Sequence, residues 1–292
     1  MKRMLSAAAV VLLLSAPSGM SKQLLNKEAP IVVSHYHLNV SSVDAHKKFF
    51  VDTLGGTPMT FGADKVEVVK FPDVFVFLKV QKPTGPSRGT AFDHLGFSVP
   101  NVPAVVARVK ENGFQQTVGR EPVPGAPPPA EGQGGSGASI AYILGPDGVK
   151  VELVTNRDAG APPIKHHHVH FINKQYVEMQ QWYMKVFNAT LRPGQTDFFI
   201  GADLPGVGYM LNFFRWEGDQ AVTHAPTQGR VMDHVGFEVK NLEAFVKELA
   251  AKGITVATPY RKVPGLNNIG TATIVDPWGV SIELTEGMDK VS

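Results

Sequence analysis

The fold is decided by a stretch that occurs twice, DHVGFEV at Asp233–Val239 and DHLGFSV at Asp93–Val99. Both copies alternate apolar residues with small or polar ones, the period of two that is typical of a β-strand. The histidine and the glycine two residues later then share one face, and a glycine inside a strand indicates that another group passes close above it. One such histidine alone would favour a core residue bonded to backbone. Its repetition in similar surroundings favours a ligand.

The surroundings of both copies repeat as well, so the chain consists of four similar units. Each is predicted to begin with a strand, to continue through a helix and to end in further strands. The His35-x-His37 pattern of the first unit recurs as His168-x-His170 in the third, and Glu152 near the end of the second recurs as Glu283 in the fourth. Such self-similarity predicts four related modules arranged as two repeats.

The helices are predicted between a serine cap (Ser41 or Ser42) and Gly55-Gly56, and at Asn101–Asn112, Gln175–Phe187 and Leu242–Ala251. The predicted strands are Ile31–Val40, Val66–Lys70, Asp73–Val80, Phe92–Val99, Ile140–Ile143, Val149–Val154, His168–Ile172, Val207–Phe214, a strand opening at His234, and Val280–Thr285.

Length and composition indicate a globular protein of two domains. The chain has 292 residues, of which 43% are hydrophobic and 18% charged. A net charge of +2 gives no reason to expect nucleic acid as a partner. A short linker rich in proline and glycine follows the second unit, and we place the domains at 29–157 and 166–288. Whether the chain forms a homo-oligomer is left open.

The first residues resemble a secretory signal, which we place at 1–23. Lys2 and Arg3 precede an apolar run at Ala7–Leu14, and small residues follow it. The run is too short for a permanent membrane anchor, and the chain has no cysteine for a lipid anchor or a disulfide. We therefore expect a periplasmic or secreted protein, with a disordered N-terminal tail as the alternative.

A Pro/Gly-rich loop at 121–138 is either a lid or a surface excursion.

Each half of the sequence offers two histidines and one glutamate in equivalent strands. Two imidazoles and one carboxylate are the donors of a facial metal site with open positions. Fe²⁺ or Mn²⁺ is the expected ion, with Zn²⁺ or Ni²⁺ as alternatives. The predicted ligands are His35, His94 and Glu152 in the first half, and His168, His234 and Glu283 in the second.

Between 30 and 287 the sequence resembles the vicinal oxygen chelate superfamily, which includes glyoxalases, extradiol dioxygenases and bleomycin resistance proteins. The resemblance lies in the Asp-His-x-Gly-Phe-x-Val starts and in the Pro-x-Gly-x-x-x-Glu-Leu ends at 146–153 and 277–284. It implies an α+β fold of two tandem domains. Each domain would build a cupped mixed sheet from two βαβββ modules and hold a divalent metal.

The pattern departs from that of glyoxalases, which usually add a fourth, carboxylate ligand. Neither Val74–Val80 nor Val207–Phe214 contains one, so a three-ligand site like that of two-domain extradiol dioxygenases is implied. Those enzymes carry an acid/base histidine and a tyrosine beside the metal, and the candidates here are His170, His224 and Tyr142. His224 could equally be a surface loop residue, and His166 and His167 could extend the ligand strand into solvent.

The leading hypothesis is an exported metal-dependent enzyme that acts on a small oxygenated substrate chelating the metal. Ring-cleaving dioxygenase is its more specific form, and isomerase or lyase is the other. The alternative is a protein of the bleomycin-resistance kind that binds a small ligand without turnover. Because His170 and His224 are additional imidazoles, we expect the second half to carry the better-equipped site.

Overall fold

A computed structural model describes residues 28–119, 139–158 and 160–288. The predicted signal at 1–23 and the loop at 121–138 lie outside the described residues. Within them, no helix combines the length and the apolar character needed to cross a membrane.

Four modules follow one another along the chain, each a strand, a helix and three more strands. Module 1 contains β1 (Ile31–Val40), α1 (Val43–Lys47) with a π-helical continuation (Lys48–Thr53), β2 (Thr57–Phe61), β3 (Val66–Phe71) and β4 (Val74–Val80). Module 2 contains β5 (Phe92–Val99), α2 (Val102–Glu111), β6 (Gln115–Thr117), β7 (Ile140–Leu144), a 3₁₀ turn (Pro146–Gly148) and β8 (Lys150–Thr155).

The second pair of modules repeats this order. Module 3 contains β9 (Lys165–Asn173), α3 (Tyr176–Phe187), β10 (Thr190–Leu191), β11 (Phe199–Leu204) and β12 (Gly208–Arg215). Module 4 contains β13 (Met232–Val239), α4 (Leu242–Ala251), β14 (Val256–Val263), a 3₁₀ turn (Pro264–Leu266), β15 (Ile269–Val275) and β16 (Ser281–Glu286).

Three of the helices begin at side chains that cap them. The Ser42 hydroxyl accepts from the Ala45 N–H at 3.2 Å, and Asn101 and Asn241 accept from the N–H three residues on at 3.0 and 3.2 Å. Each bond satisfies a backbone donor that the first helical turn leaves without a partner. The predicted caps at Ser42 and Asn101 are thus confirmed, and α4 has the predicted bounds.

The modules pair in an order that differs from the predicted one. Sheet A has the strand order β14-β15-β16-β13-β1-β4-β3-β2 and sheet B the order β10-β11-β12-β9-β5-β8-β7-β6. Module 1 therefore shares sheet A with module 4, and modules 2 and 3 share sheet B. The α+β class with two mixed sheets of two modules each is confirmed. The division into 29–157 and 166–288 as separate sheets is wrong, because each sheet takes one module from each half.

The two sheets have the same register at the junction of their modules. In sheet A, β1 runs antiparallel to β13, with His35 opposite Gly236 and His37 opposite His234. In sheet B, β9 runs antiparallel to β5, with His168 opposite Gly96 and His170 opposite His94. The final strand of each glutamate-bearing module pairs parallel to its first, which brings Glu283 beside Gly236 and Glu152 beside Gly96.

One hydrophobic core joins the four modules. Alternate residues of β1, such as Tyr36, face this core, whereas His35 and His37 face the opposite side of the strand. The fully buried Tyr36 ring lies 5.9 Å from Phe92 of sheet B, and its hydroxyl is hydrogen-bonded to His166 Nε2 at 2.6 Å. The two sheets therefore meet through the core, and the histidines that repeat along the chain lie on the faces turned away from it.

Candidate metal centres

Centre A consists of His35 on β1, His234 on β13 and Glu283 on β16. His35 Nε2 lies 3.0 Å from Glu283 Oε2, and His234 Nε2 lies 3.4 Å from the same oxygen. One ligand atom from each residue falls within 4.8 Å of the others. Small side-chain rotations would bring these atoms to one ion at the roughly 2 Å bonds of a divalent metal.

Centre B consists of His94 on β5, Glu152 on β8, and His168 and His170 on β9. Glu152 Oε2 lies 2.7 Å from His94 Nε2, 3.2 Å from His168 Nε2 and 3.8 Å from His170 Nδ1. Four ligand atoms lie within 4.8 Å of one another here. Centre B thus offers one more imidazole than centre A.

The residue before each repeated histidine fixes its ring. His234 Nδ1 bonds Asp233 at 2.8 Å, and His94 Nδ1 bonds Asp93 at 2.6 Å. On β1 and β9 a register shift turns the preceding residue toward the ring. Ser34 Oγ then lies 3.0 Å from His35 Nδ1, and His167 Nδ1 lies 2.8 Å from His168 Nδ1. In all four cases Nε2 is left to face the glutamate, the arrangement by which outer partners orient metal-bound histidines.

Gly236 and Gly96 make room for the histidine of the opposite strand. A Cβ built on Gly236 would overlap the His35 ring, and one on Gly96 would overlap the His168 ring. Neither glycine has a positive φ, so the requirement is one of space and not of backbone conformation. The close approach predicted above these glycines is confirmed, and the group that makes it is the imidazole of the paired module.

The charges of centre A suit a cation. Burial alone would raise the pKa of Glu283, but hydrogen bonds from His234 and His35 outweigh it and hold the pKa well below its usual range. Burial lowers the pKa of His35. For His234 burial acts in the same direction, but its bonds to Asp233 and Glu283 prevail and raise the pKa to about 9. A metal ion would take the place of the protons that these groups share.

Centre A is partly open and adjoins a cavity. The side chains of His234 and Glu283 are 15% and 25% exposed. The cavity has a volume of about 150 Å³, and besides the three donors its lining includes His37, Phe77 and Met288. His37 stacks on His234, with 4.5 Å between the ring centroids. The centre therefore has a face from which a small molecule can reach the donors.

Centre B is enclosed. His94 is fully buried, His168 and His170 are 1% exposed, and Glu152 is 6% exposed. Burial would raise the pKa of Glu152, but the charge and the hydrogen bond of His168, with the neighbouring His170 and a bond from His94, hold it well below its usual range. Burial lowers the pKa of His170 to about 3. That ring is therefore neutral near pH 7, the state in which it can bind a metal.

A lysine lies behind centre B that has no counterpart at centre A. Lys150 Nζ bonds Asp93 Oδ2 at 2.7 Å and the Gly119 carbonyl at 2.7 Å. Burial would raise the pKa of Asp93, but the Lys150 charge and the bond to His94 drive it far below its usual range. In sheet A, Ser281 holds the equivalent place on β16, and Asp233 instead accepts from the Asn39 amide and the Gly229 N–H.

The predicted ligands all lie in these two centres, but their grouping is corrected. His35 meets His234 and Glu283, and not His94 and Glu152. His94 and Glu152 meet His168. The grouping differs because the modules that share a sheet come from opposite halves of the chain. Whether each residue binds metal stays a prediction.

Three predicted neighbours of the metal take different positions. Tyr142 lies opposite Glu152 on β7, 5.3 Å from the His94 ring, so it belongs to centre B. His170 also lies in centre B, among the donors. His224 is not in either group of donors that the described residues form. Its Nδ1 bonds the Asn173 amide at 3.0 Å, and it lines a separate cavity with Trp278.

Some features were missed or misjudged from sequence. His166 does not extend into solvent: it is 3% exposed and bonded to Tyr36. The Nδ1 partners Ser34 and His167 were not anticipated, because the register shift that turns them toward the ring leaves no mark on the alternation of apolar residues. Asp233 and Asp93 could have been found, since each directly precedes a repeated histidine.

Comparison with known proteins agrees with this geometry. Residues 165–284 match the model of the glyoxalase/bleomycin resistance protein/dioxygenase superfamily. Lactoylglutathione lyases of Escherichia coli O157:H7 and Salmonella typhimurium are 35% and 36% identical over 72 residues, which is 25% of this chain and 46% of each enzyme. The match thus spans about half the length of these relatives.

Solved structures resemble almost the whole chain. Glyoxalase I from Zea mays superimposes with a TM-score of 0.65 at 18% identity, over 89% of this chain and 94% of that one. A protein of Bacillus subtilis assigned as a dioxygenase gives 0.61 at 14% identity, over 88% and 86%. At these identities the likeness shows the fold. The sequence match at residues 165–284 and the fold of the chain therefore both agree with the glyoxalase/bleomycin resistance protein/dioxygenase superfamily.

Proposed function

We propose that the protein is a metal-dependent enzyme whose reaction takes place at centre A. The observation that carries the proposal is the partly exposed pair His234 and Glu283 beside a cavity of about 150 Å³. Catalytic metal sites keep positions open for substrate, and two histidines with one carboxylate leave such positions. Centre B, by contrast, offers four buried donors.

The residues of centre A fit a divalent ion. His35, His234 and Glu283 would hold it, and two histidines with one carboxylate suit Fe²⁺ or Mn²⁺. When bound, such an ion supplies Lewis acidity toward substrate oxygens. Asp233 and Ser34 hold the two imidazoles in place through their Nδ1 atoms.

The cavity limits the size and the character of the substrate. A volume of about 150 Å³ is enough for one benzene-sized molecule, and pockets for drug-sized ligands begin at roughly 300 Å³. Its apolar lining includes Phe61, Phe77, Leu266 and Ile269. These properties favour a substrate with an apolar body of about one ring and two adjacent oxygens that reach the metal.

His37 is the candidate acid/base group of centre A. It lines the cavity and stacks on His234. Burial, together with the charge of His234, lowers the pKa of His37 to about 3. The ring is therefore neutral near pH 7 and can accept a hydrogen bond from a substrate hydroxyl. Its low pKa makes it a weak base, so a proton that it took up would pass on readily.

The finer proposal is ring cleavage of a catechol-type substrate with O₂. Phe77 on β4 lies opposite His37 and lines the cavity. It belongs to the strand that would supply the fourth, carboxylate ligand of a glyoxalase. Isomerase or lyase action is the second candidate, and the 35% identity with lactoylglutathione lyases favours it. The small apolar cavity argues against a substrate as bulky and charged as a glutathione thioester or its precursor.

Parallel turnover assays separate these reactions. Protein loaded with Fe²⁺ or Mn²⁺ is given catechols in an oxygen electrode and, separately, 2-oxoaldehydes with glutathione. We expect O₂ uptake that matches the formation of ring-opened product. Glu283→Gln is expected to lower it by at least about 100-fold, and the matched variant Glu152→Gln to lower it less.

Other outcomes overturn parts of the proposal. Turnover only with the glutathione adduct would replace ring cleavage by the isomerase or lyase reaction. Binding of catechols without turnover, unaffected by metal, would make the protein a binding protein and refute the enzymatic proposal. A larger loss of activity in Glu152→Gln than in Glu283→Gln would move the reaction to centre B.

A further inference from the structure

Centre B differs from centre A by an imidazole that has no hydrogen-bond partner. His170 is 1% exposed, and neither Nδ1 nor Nε2 makes a hydrogen bond. Its ring lies 4.3 Å from that of His94, and Nδ1 points toward Glu152 Oε2 at 3.8 Å. A buried polar group without a hydrogen bond destabilises a fold. A metal ion bound between Glu152 and the three imidazoles would satisfy it.

The equivalent residue in module 1 behaves differently. His37 occupies on β1 the place of His170 on β9, since each lies opposite the repeated histidine of the paired strand. His37 is not part of the donor group of centre A. It stacks on His234 and lines the open cavity. The equivalent strand position is thus part of the cavity wall in sheet A and supplies a fourth metal donor in sheet B.

The surroundings of His170 hold it among the donors. The Phe214 ring lies 4.0 Å from it, and Asn212 is its partner across β12. Asn212 is in turn bonded by Arg192, which also bonds Asp203. In sheet A the position of Asn212 is taken by Phe77, which faces the cavity. A tightly bonded polar layer therefore covers centre B on the side where centre A has its opening.

We propose that centre B is a structural metal site, in which His94, Glu152, His168 and His170 bind one Zn²⁺ that joins modules 2 and 3. Structural zinc sites use four protein donors and admit no substrate, whereas catalytic ones keep a position open. The donors come from β5, β8 and β9, so the ion links the first strands of both modules of sheet B. The assignment does not depend on which reaction centre A performs.

The test uses the full chain with centre A disabled by Glu283→Gln. Metal-free protein is titrated with Zn²⁺ and its thermal unfolding recorded. We expect about one ion bound per chain and a melting temperature raised by about 5 °C or more. Adding His170→Asn should weaken Zn²⁺ binding by at least about 100-fold and abolish the rise. His37→Asn in the same background is the matched control and should keep the rise.

Cobalt spectroscopy provides a readout that requires no change at His170. Co²⁺ bound to the Glu283→Gln protein should give the intense visible absorption of a four-coordinate tetrahedral ion. A weak spectrum, typical of a centre completed by water, would overturn the proposal. So would a Zn²⁺-induced rise in melting temperature that His170→Asn leaves unchanged, or the absence of any bound ion. If His170→Asn fails to fold, the cobalt spectrum decides alone.

Discussion

Replacing Gly236 by alanine adds one methyl group at the place where two modules meet over centre A. The three nearest atoms to such a Cβ all belong to the His35 ring and lie far inside the 3.4 Å at which ordinary contact begins. The ring would have to retreat by about 1 Å or more. It is held between Phe77 and His234, at 5.3 and 5.8 Å between centroids, and by Ser34 at Nδ1.

A shift of this size is too large for a metal ligand. Coordination distances hold to within about 0.2 Å, so His35 would leave the metal. We expect Gly236→Ala to weaken metal binding at centre A by at least about 100-fold and to lower turnover in proportion. Metal content after dialysis and turnover at saturating metal measure the two effects.

Gly96→Ala is the matched control, because its methyl group would overlap His168 of centre B in the same way. Under the assignments above it should lower the melting temperature of the zinc-loaded protein, and reduce turnover less than Gly236→Ala does. Full metal content and turnover in Gly236→Ala would refute the argument, since His35 would then have no role at the metal. The reverse order of the two effects would exchange the roles of the centres.

Two further predictions concern other parts of the chain. Burial raises the pKa of Asp276 to about 7 against its hydrogen bonds from Val280, Trp278 and Tyr183, so the folded protein keeps a proton that the unfolded chain loses near pH 4. Stability should therefore fall as the pH rises from about 4 to 7. In Asp276→Asn, Oδ1 can still accept from the Trp278 and Val280 N–H groups, and the amide nitrogen can donate to the Tyr183 hydroxyl oxygen. This variant should raise the melting temperature at pH 8 but not at pH 4. We also propose that the protein is exported, in which case N-terminal sequencing of exported material should begin between Ala16 and Leu24; recovery of Met1 would contradict this.

The local elements could be predicted from sequence where their own residues determine them. Phe92–Val99 and Leu242–Ala251 have the predicted bounds, because alternation, caps and glycine stops act within a few residues. The four outer strands β2, β6, β10 and β14 were missed, as were β11 and β15 next to two of them. β10 has only two residues, and register shifts in β14 interrupt the period of two. Outer strands also bury little, so their hydrophobic pattern is weak.

The pairing of the modules could not be predicted, because two pairings satisfy the same local rule: module 1 with 2 and 3 with 4, or module 1 with 4 and 2 with 3. A His-x-His strand must face an Asp-His-x-Gly strand, since the glycine makes room for the histidine. The chain has two strands of each kind, and the links at 81–91 and 156–164 are of similar length. The choice made in the structure depends on contacts across the core, such as Tyr36 with His166. Such contacts leave no signal in either segment alone.

The nesting of one pair of modules inside the other sets an order of assembly. Sheet B can close once the chain is complete to Arg215, because modules 2 and 3 are consecutive. Sheet A must bring together residues as distant as His35 and Glu283, 248 positions apart. Contacts of such long range slow folding more than they weaken stability. During synthesis β1 therefore keeps one edge unpaired until β13 has been made, and an unpaired edge is prone to association with other chains. The last module thus determines when the first can complete its sheet.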